Sequence, residues 1–199
     1  MLASRRTLLS VVATAALVSP RLARAEDLPR TERAFGKPDA KNTVIECFSL
    51  TCSHCAAFAK GPYQEIKKEM IETGKVRWVF QDFPLNQLDL IAFMVARNLP
   101  AERFPAFAEA LLATQDRWAF ARGINPTEEL WKMAALAGMS RTTFDKAAAD
   151  EDLKKWIVGE QKKVQDRWGV DSTPTFIING AKHTGDMAFD TFRKLIPES

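Results

Sequence analysis

The stretch from Ile45 to Phe58, I-E-C-F-S-L-T-C-S-H-C-A-A-F, constrains this chain more than any other. Thr43 to Leu50 is rich in β-branched and aromatic residues, which is strand composition. Thr51 opens a run containing the helix formers Ala56, Ala57, Ala59 and Lys60. Cys52 and Cys55 therefore fall at a strand-to-helix junction, in the first turn of the helix. Unpaired N–H groups and the positive end of the helix dipole favour an anion there. A thiolate is such an anion, so Cys52 is expected to ionise more readily than an ordinary thiol.

A C-x-x-C pair also serves zinc, but structural zinc sites generally need four ligands, usually as two such pairs. This chain has no second pair. Counting Cys47 gives C-x4-C-x2-C, a spacing used by iron–sulfur proteins. That centre needs a fourth thiolate, and the chain has only three Cys. A plain structural disulfide is disfavoured because a helix start stabilises the reduced thiolate. A redox dithiol fits best, with no metal and no cofactor.

At 199 residues, 46% hydrophobic and 27% charged, the chain has the make-up of one soluble globular domain, with room for an insertion. Its formal charge of +3 is concentrated at the start. Residues 1–25 hold four Arg and no acid, leaving 24 basic against 25 acidic residues, a net −1. That balance gives no electrostatic basis for nucleic-acid binding.

The same 25 residues read as a cleavable export signal. Arg5 and Arg6 form a basic start, Thr7 to Ser19 an apolar run too short to span a bilayer, and Ala23-Arg24-Ala25 a cleavage pattern. Ser4-Arg5-Arg6-Thr7-Leu8-Leu9 also resembles a twin-arginine signal. Twin Arg occurs in ordinary secretory signals too, so both routes stay open. Cleavage after Ala25 would release residues 26–199 into an oxidising compartment, expected to be the periplasm, where a dithiol can persist as a disulfide.

Glu26 to Asn42 reads as an extended lead-in. The helix after the dithiol is expected over Ser53 to Glu72, kinked at Gly61-Pro62. Val76 to Asp82 is a second strand, giving β-α-β and a parallel pair. Residues 87–167 show helical periodicity over Leu88–Leu99, Glu102–Arg117, Thr127–Ala137, Arg141–Ala149 and Asp152–Trp168. Asp171 to Gly180 returns to strand character, and Asn179-Gly180 signals a hairpin into Ala181–Gly185. Ala188 to Ile196 is a last amphipathic helix. The fold class is α/β: a thioredoxin-like order with a helical insertion between its β-α-β and β-β-α halves.

At this point the sequence resembles the DsbA-like thiol:disulfide oxidoreductases of the thioredoxin superfamily. The likeness covers Arg33 to Ile196. It is anchored by G-K-P-D-A, V-I-E-C-F-S-L-T-C-S-H-C, V-R-W-V-F-Q-D-F-P-L and S-T-P-T-F-I-I-N-G, in that order. The resemblance implies an enzyme that oxidises thiol-containing proteins, with Cys52 as nucleophile and Cys55 as resolving thiol. It implies that Pro174 is cis beside the dithiol, and that a membrane or soluble redox partner re-oxidises the pair. The family commonly has Pro-His where this chain has Ser53-His54, and an aromatic residue at the position of Cys47. The short stretch before the first strand leaves no room for the dimerisation domain of isomerase relatives, so a monomer is expected.

Four other residues join the candidate site. His54, between the cysteines, can offer positive charge or a hydrogen bond to the Cys52 sulfur. Glu46 lies in an apolar strand, where a carboxylate is costly. It resembles the acid beneath the dithiol that moves a proton to or from Cys55; the alternative is an edge-strand Glu facing water. Thr173-Pro174 interrupts an apparent core strand, a conflict that a cis bend resolves, freeing the Thr173 backbone for an extended substrate. Cys47, next to Glu46, should face the opposite side of the sheet as an inert thiol. His183 has no assigned role. Alternative functions are a reductase or isomerase, a glutathione-dependent enzyme, and a thiol-based carrier of copper or zinc through Cys52, Cys55 and His54.

Overall fold

The computed structural model describes residues 28–197. The expected export signal lies outside them. Five strands form one sheet: β1 (Arg33–Phe35), β2 (Asn42–Phe48), β3 (Val76–Asp82), β4 (Thr175–Ile178) and β5 (Ala181–Thr184), in the order β1-β3-β2-β4-β5. β2 runs parallel to β3, with Val44 opposite Trp78 and Glu46 opposite Phe80. β4 pairs antiparallel with β2, and β5 with β4. The Asn179-Gly180 hairpin forms as expected, both residues having positive φ.

β1 is new relative to the sequence reading. It is three residues long and pairs antiparallel with β3. The segment leading into it is held by a buried cluster: Arg97 bonds Asp82 and donates to the Pro29 and Thr31 carbonyls at 3.1 and 3.0 Å. Arg33, also buried, donates to the Arg97 carbonyl at 2.8 Å.

After β2 come α1 (Ser53–Lys60) and α2 (Pro62–Ile66), then a π-type turn over Lys67–Ile71. The break falls at Gly61, with Pro62 at the first position of α2, where its missing N–H costs nothing. The insertion holds α3 (Gln87–Arg97), α4 (Phe104–Ala113), α5 (Gln115–Trp118), α6 (Pro126–Leu136), α7 (Arg141–Ala148) and α8 (Glu151–Trp168). α9 (Phe189–Lys194) closes the chain. The expected helix Glu102–Arg117 is thus divided at Thr114 (φ −123°, ψ 23°). Side-chain caps start several of the others: Asn86 on α3, Asn125 on α6, Ser140 on α7 and Asp150 on α8.

The sheet separates two apolar clusters. Val44, Phe48, Trp78, Phe80 and Phe176 face the larger one, where Phe58, Tyr63 and Phe192 from the helices join them. Ring contacts such as Phe58–Phe176 at 4.7 Å and Trp78–Phe192 at 5.6 Å hold α1 and α9 onto the strands. Cys47, Phe83, Val170 and Ile177 form the smaller cluster on the other face. This packing fixes the start of α1 against the C-terminal end of β2.

Candidate active site

Cys52 is the N-cap of α1, with extended backbone (φ −87°, ψ 123°) and no side-chain cap of its own. Its amide donates to the Ser49 carbonyl at 3.3 Å, and its carbonyl accepts from Ala56 at 3.0 Å, starting the helix. Cys52 is half-buried, whereas Cys55, one turn inside, is fully buried. Both are free thiols, so the structure shows the dithiol form.

The two sulfurs are driven in opposite directions. The Cys55 thiol donates to Cys52, and donors from the Thr173 side chain and the backbone of Cys55 and His54 add to it; against the opposing cost of burial they bring the Cys52 pKa down to about 5. Cys55 is pushed far above the ordinary range, first by burial and then by its bond to Cys52. The pair therefore favours a thiolate at half-buried Cys52 and a protonated thiol at buried Cys55.

The other expected residues take distinct places. Thr173 and Pro174 form a cis peptide, and the Thr173 carbonyl lies 3.4 Å from Cys52 Sγ. The Thr173 hydroxyl is buried beside Cys52, where it can donate to the ionised sulfur. The His54 imidazole points away to solvent, 71% exposed, with Nδ1 3.8 Å from Asp186. What His54 brings to the sulfur is its backbone N–H, not its ring.

Glu46 is 3% exposed on central strand β2, not an edge residue. Trp78 Nε1 donates to its carboxyl at 3.0 Å. Burial outweighs that bond and pushes Glu46 up to about 8, so it is largely protonated at neutral pH. Cys47 is fully buried on the opposite face and raised to about 12 by burial. His183 lies on β5, half-buried opposite Phe176.

Three residues that the sequence reading passed over support the dithiol loop. Asp89, fully buried in the first turn of α3, accepts from Ser49 Oγ at 2.6 Å, Leu50 N at 2.9 Å and Leu85 N at 2.9 Å. Burial lifts its pKa to about 6. Asn86, which caps Asp89 N, also donates to Thr51 Oγ1 at 3.0 Å. The spacing Asn86-x-x-Asp89 is a helix-start signature that could have flagged both. Gln115, at the start of α5, reaches the same loop and carried no sequence signal. Two open grooves flank α1. One, of about 560 Å³, includes Ser53, Ala57, Gln115 and Phe120; the other, of about 360 Å³, includes Phe58, Asp186 and Met187. Among the described residues no group of three or more His, Cys, Asp or Glu side chains is placed to hold a metal ion.

A thioredoxin fold with a dithiol at the start of its first helix defines the class of protein. The family model described as Thioredoxin matches residues 29–198, and the chain belongs to that family. Among solved structures, α-DsbA1 of Wolbachia pipientis is similar at 28% identity and TM-score 0.77, over 83% of this chain and 89% of its own. A protein-disulfide isomerase of Novosphingobium aromaticivorans shares the fold at 24% identity and TM-score 0.72, over 83% of this chain and 95% of its own. A curated Rickettsia bellii relative, provisionally named a protein-disulfide oxidoreductase, is 26% identical over 78% of this chain. The chain spans 60% of that relative's length. The DsbA-like resemblance carried by the motifs agrees with these findings.

Proposed function

We propose that the chain is an exported protein thiol:disulfide oxidoreductase acting as an oxidase, which donates a Cys52–Cys55 disulfide to thiol-bearing proteins. The observation that carries this reading is the asymmetric pair: a half-buried Cys52 with its pKa lowered to about 5, beside a fully buried Cys55 raised above the ordinary range. Stabilising the Cys52 thiolate stabilises the reduced form, and that makes the disulfide a stronger oxidant.

A substrate thiolate attacks Cys52 Sγ. The new S–S bond forms as the Cys52–Cys55 bond breaks, and Cys55 leaves with the electron pair. Buried Cys55 must then take a proton, and Glu46, largely protonated at neutral pH, is the acid that supplies it. A second substrate thiolate attacks the substrate sulfur of the mixed disulfide and expels Cys52 as a stable thiolate. The substrate has lost two electrons and the protein has gained them. A membrane or soluble redox partner then takes those electrons and restores the disulfide. The Thr173 segment beside Cys52 is where an extended substrate would pair, and the grooves on either side of α1 give its chain room. Export rests on the Arg5-Arg6 start, the apolar run and Ala23-Arg24-Ala25. No helix among the described residues is long and apolar enough to cross a membrane.

Oxidised protein mixed with a reduced two-cysteine peptide tests the direction. The peptide is expected to be recovered as its disulfide, in equal amount to the Cys52–Cys55 dithiol that appears. A peptide that stays reduced beside oxidised protein, with the reduced protein instead converting the peptide disulfide to its dithiol, would establish the reductase reading.

A further inference from the structure

We propose that Gln115 is a positioning residue for the dithiol, acting from the helical insertion by holding the Leu50 and Cys52 carbonyls. The inference rests on the reading of Cys52 as the reactive thiolate. Thr114 interrupts the helix and turns Gln115 inward as the first residue of α5, where it is 6% exposed. Its Nε2 donates to the Leu50 carbonyl at 2.8 Å and to the Cys52 carbonyl at 3.0 Å. Both amide hydrogens are thus spent on the loop that enters α1. Two acceptors on one nitrogen also fix which way the side-chain amide faces.

The Leu50 carbonyl depends on this bond, since no described backbone N–H reaches it. The planar Leu50–Thr51 peptide is gripped at both ends. Its oxygen is held by Gln115, and its N–H donates to Ser49 Oγ at 3.1 Å. That hydroxyl is within hydrogen-bond distance of Asp89, at 2.6 Å. α5 and α3 of the insertion therefore hold one peptide plane between them, immediately before Cys52. With the Leu50 and Cys52 carbonyls drawn towards Gln115, the N–H groups of His54 and Cys55 are left facing Sγ. Without Gln115, the Leu50 carbonyl would be buried without a partner. The peptide would rotate to find one and carry Cys52 with it.

Gln115→Leu removes both donors at similar volume, with Gln115→Met as the second variant should the first not fold. Thiolate absorbance of reduced protein between pH 4 and 8 reports Cys52, because burial holds Cys47 and Cys55 protonated there. The Cys52 pKa is expected to rise by about half to one unit, a three- to tenfold loss of thiolate stabilisation. The equilibrium with glutathione should move towards oxidised protein by about the same factor. Gln115→Glu, closer in shape but facing two carbonyls with an acceptor, should do no better than Leu. Unchanged Cys52 ionisation and glutathione equilibrium in the donor-free variant, with or without a lower melting temperature, would overturn the inference. A wild-type Cys52 titrating near 9 would instead reject the oxidase reading beneath it.

Discussion

Cys52→Ser is expected to reduce thiol–disulfide exchange to background, and Cys55→Ser to turn the protein into a trap for mixed disulfides. The contrast follows from burial and charge. Only Cys52 is both half-exposed and held largely as thiolate at neutral pH, and only the thiolate attacks. Cys55 is fully buried and protonated, so no substrate reaches it directly. Its work is internal: it leaves when a substrate thiolate opens the disulfide, and it can return to Cys52 to expel a substrate sulfur. With Ser at position 55 that return is lost, so adducts formed when the Cys52 thiolate attacks a substrate disulfide accumulate wherever no second substrate thiol displaces Cys52. Mass spectrometry of trapped adducts reads the outcome. Adducts through Cys55 in the Cys52→Ser protein would reverse the assignment.

Arg97→Ala should cost about 3–5 kcal/mol, the range for removing one partner of a buried ion pair. Arg97 and Asp82 are 3% and 1% exposed. The guanidinium lies 4.6 Å from the Trp156 ring centroid and also holds the Pro29 and Thr31 carbonyls. Its removal leaves buried Asp82 without its ion-pair partner and two carbonyls without their donor. Thermal unfolding should fall by roughly 10 °C for a chain of this size. The double variant Asp82→Asn, Arg97→Met should lose less, because neither member of the pair is then left buried without the other. A single variant within about 1 kcal/mol of wild type would show that the cluster contributes little.

The parts of the fold legible in the sequence are those with local causes. Alternation along Val76–Asp82, the Gly61-Pro62 break and the Asn179-Gly180 hairpin each act within a few residues, and each appears where expected. β1 was not legible: three residues carry no periodicity, and its pairing and side-chain anchors lie on β3 and α3. Asp89 looked like an ordinary polar helix residue, because its partners Ser49 and Leu50 are about forty positions away in sequence. Reading Glu102–Arg117 as one helix hid the break at Thr114, and with it the inward turn of Gln115. His54 shows the limit of adjacency. At the second position of a helix its ring is carried outward towards Asp186, while its backbone N–H remains at the sulfur. Glu46 stood out as a carboxylate among apolar residues, but its partner Trp78 required the β2–β3 register.

The most direct test compares the stability of the dithiol and disulfide forms between pH 5 and 8. Cys52 is an acid whose folded pKa, about 5, lies below its unfolded value of about 8.5. Its contribution to the dithiol form is therefore fully present above about 8.5 and is lost as pH falls through about 5. The disulfide form has no such titration. Glu46 and Asp89, both raised by burial, destabilise the fold as pH rises. Both redox forms carry them, so they largely drop out of the difference. A cross-link across so short a loop stabilises the disulfide form by about 2 kcal/mol through the unfolded chain, and the thiolate must exceed that. Discounted for the partial exposure of Cys52, the thiolate advantage should grow by about 2–3 kcal/mol from pH 5 to pH 8. The dithiol form should unfold at higher temperature than the disulfide form near pH 7.5, by a margin that narrows towards pH 5. A disulfide form that is the more stable at pH 7.5, with no change in the difference down to pH 5, would contradict it.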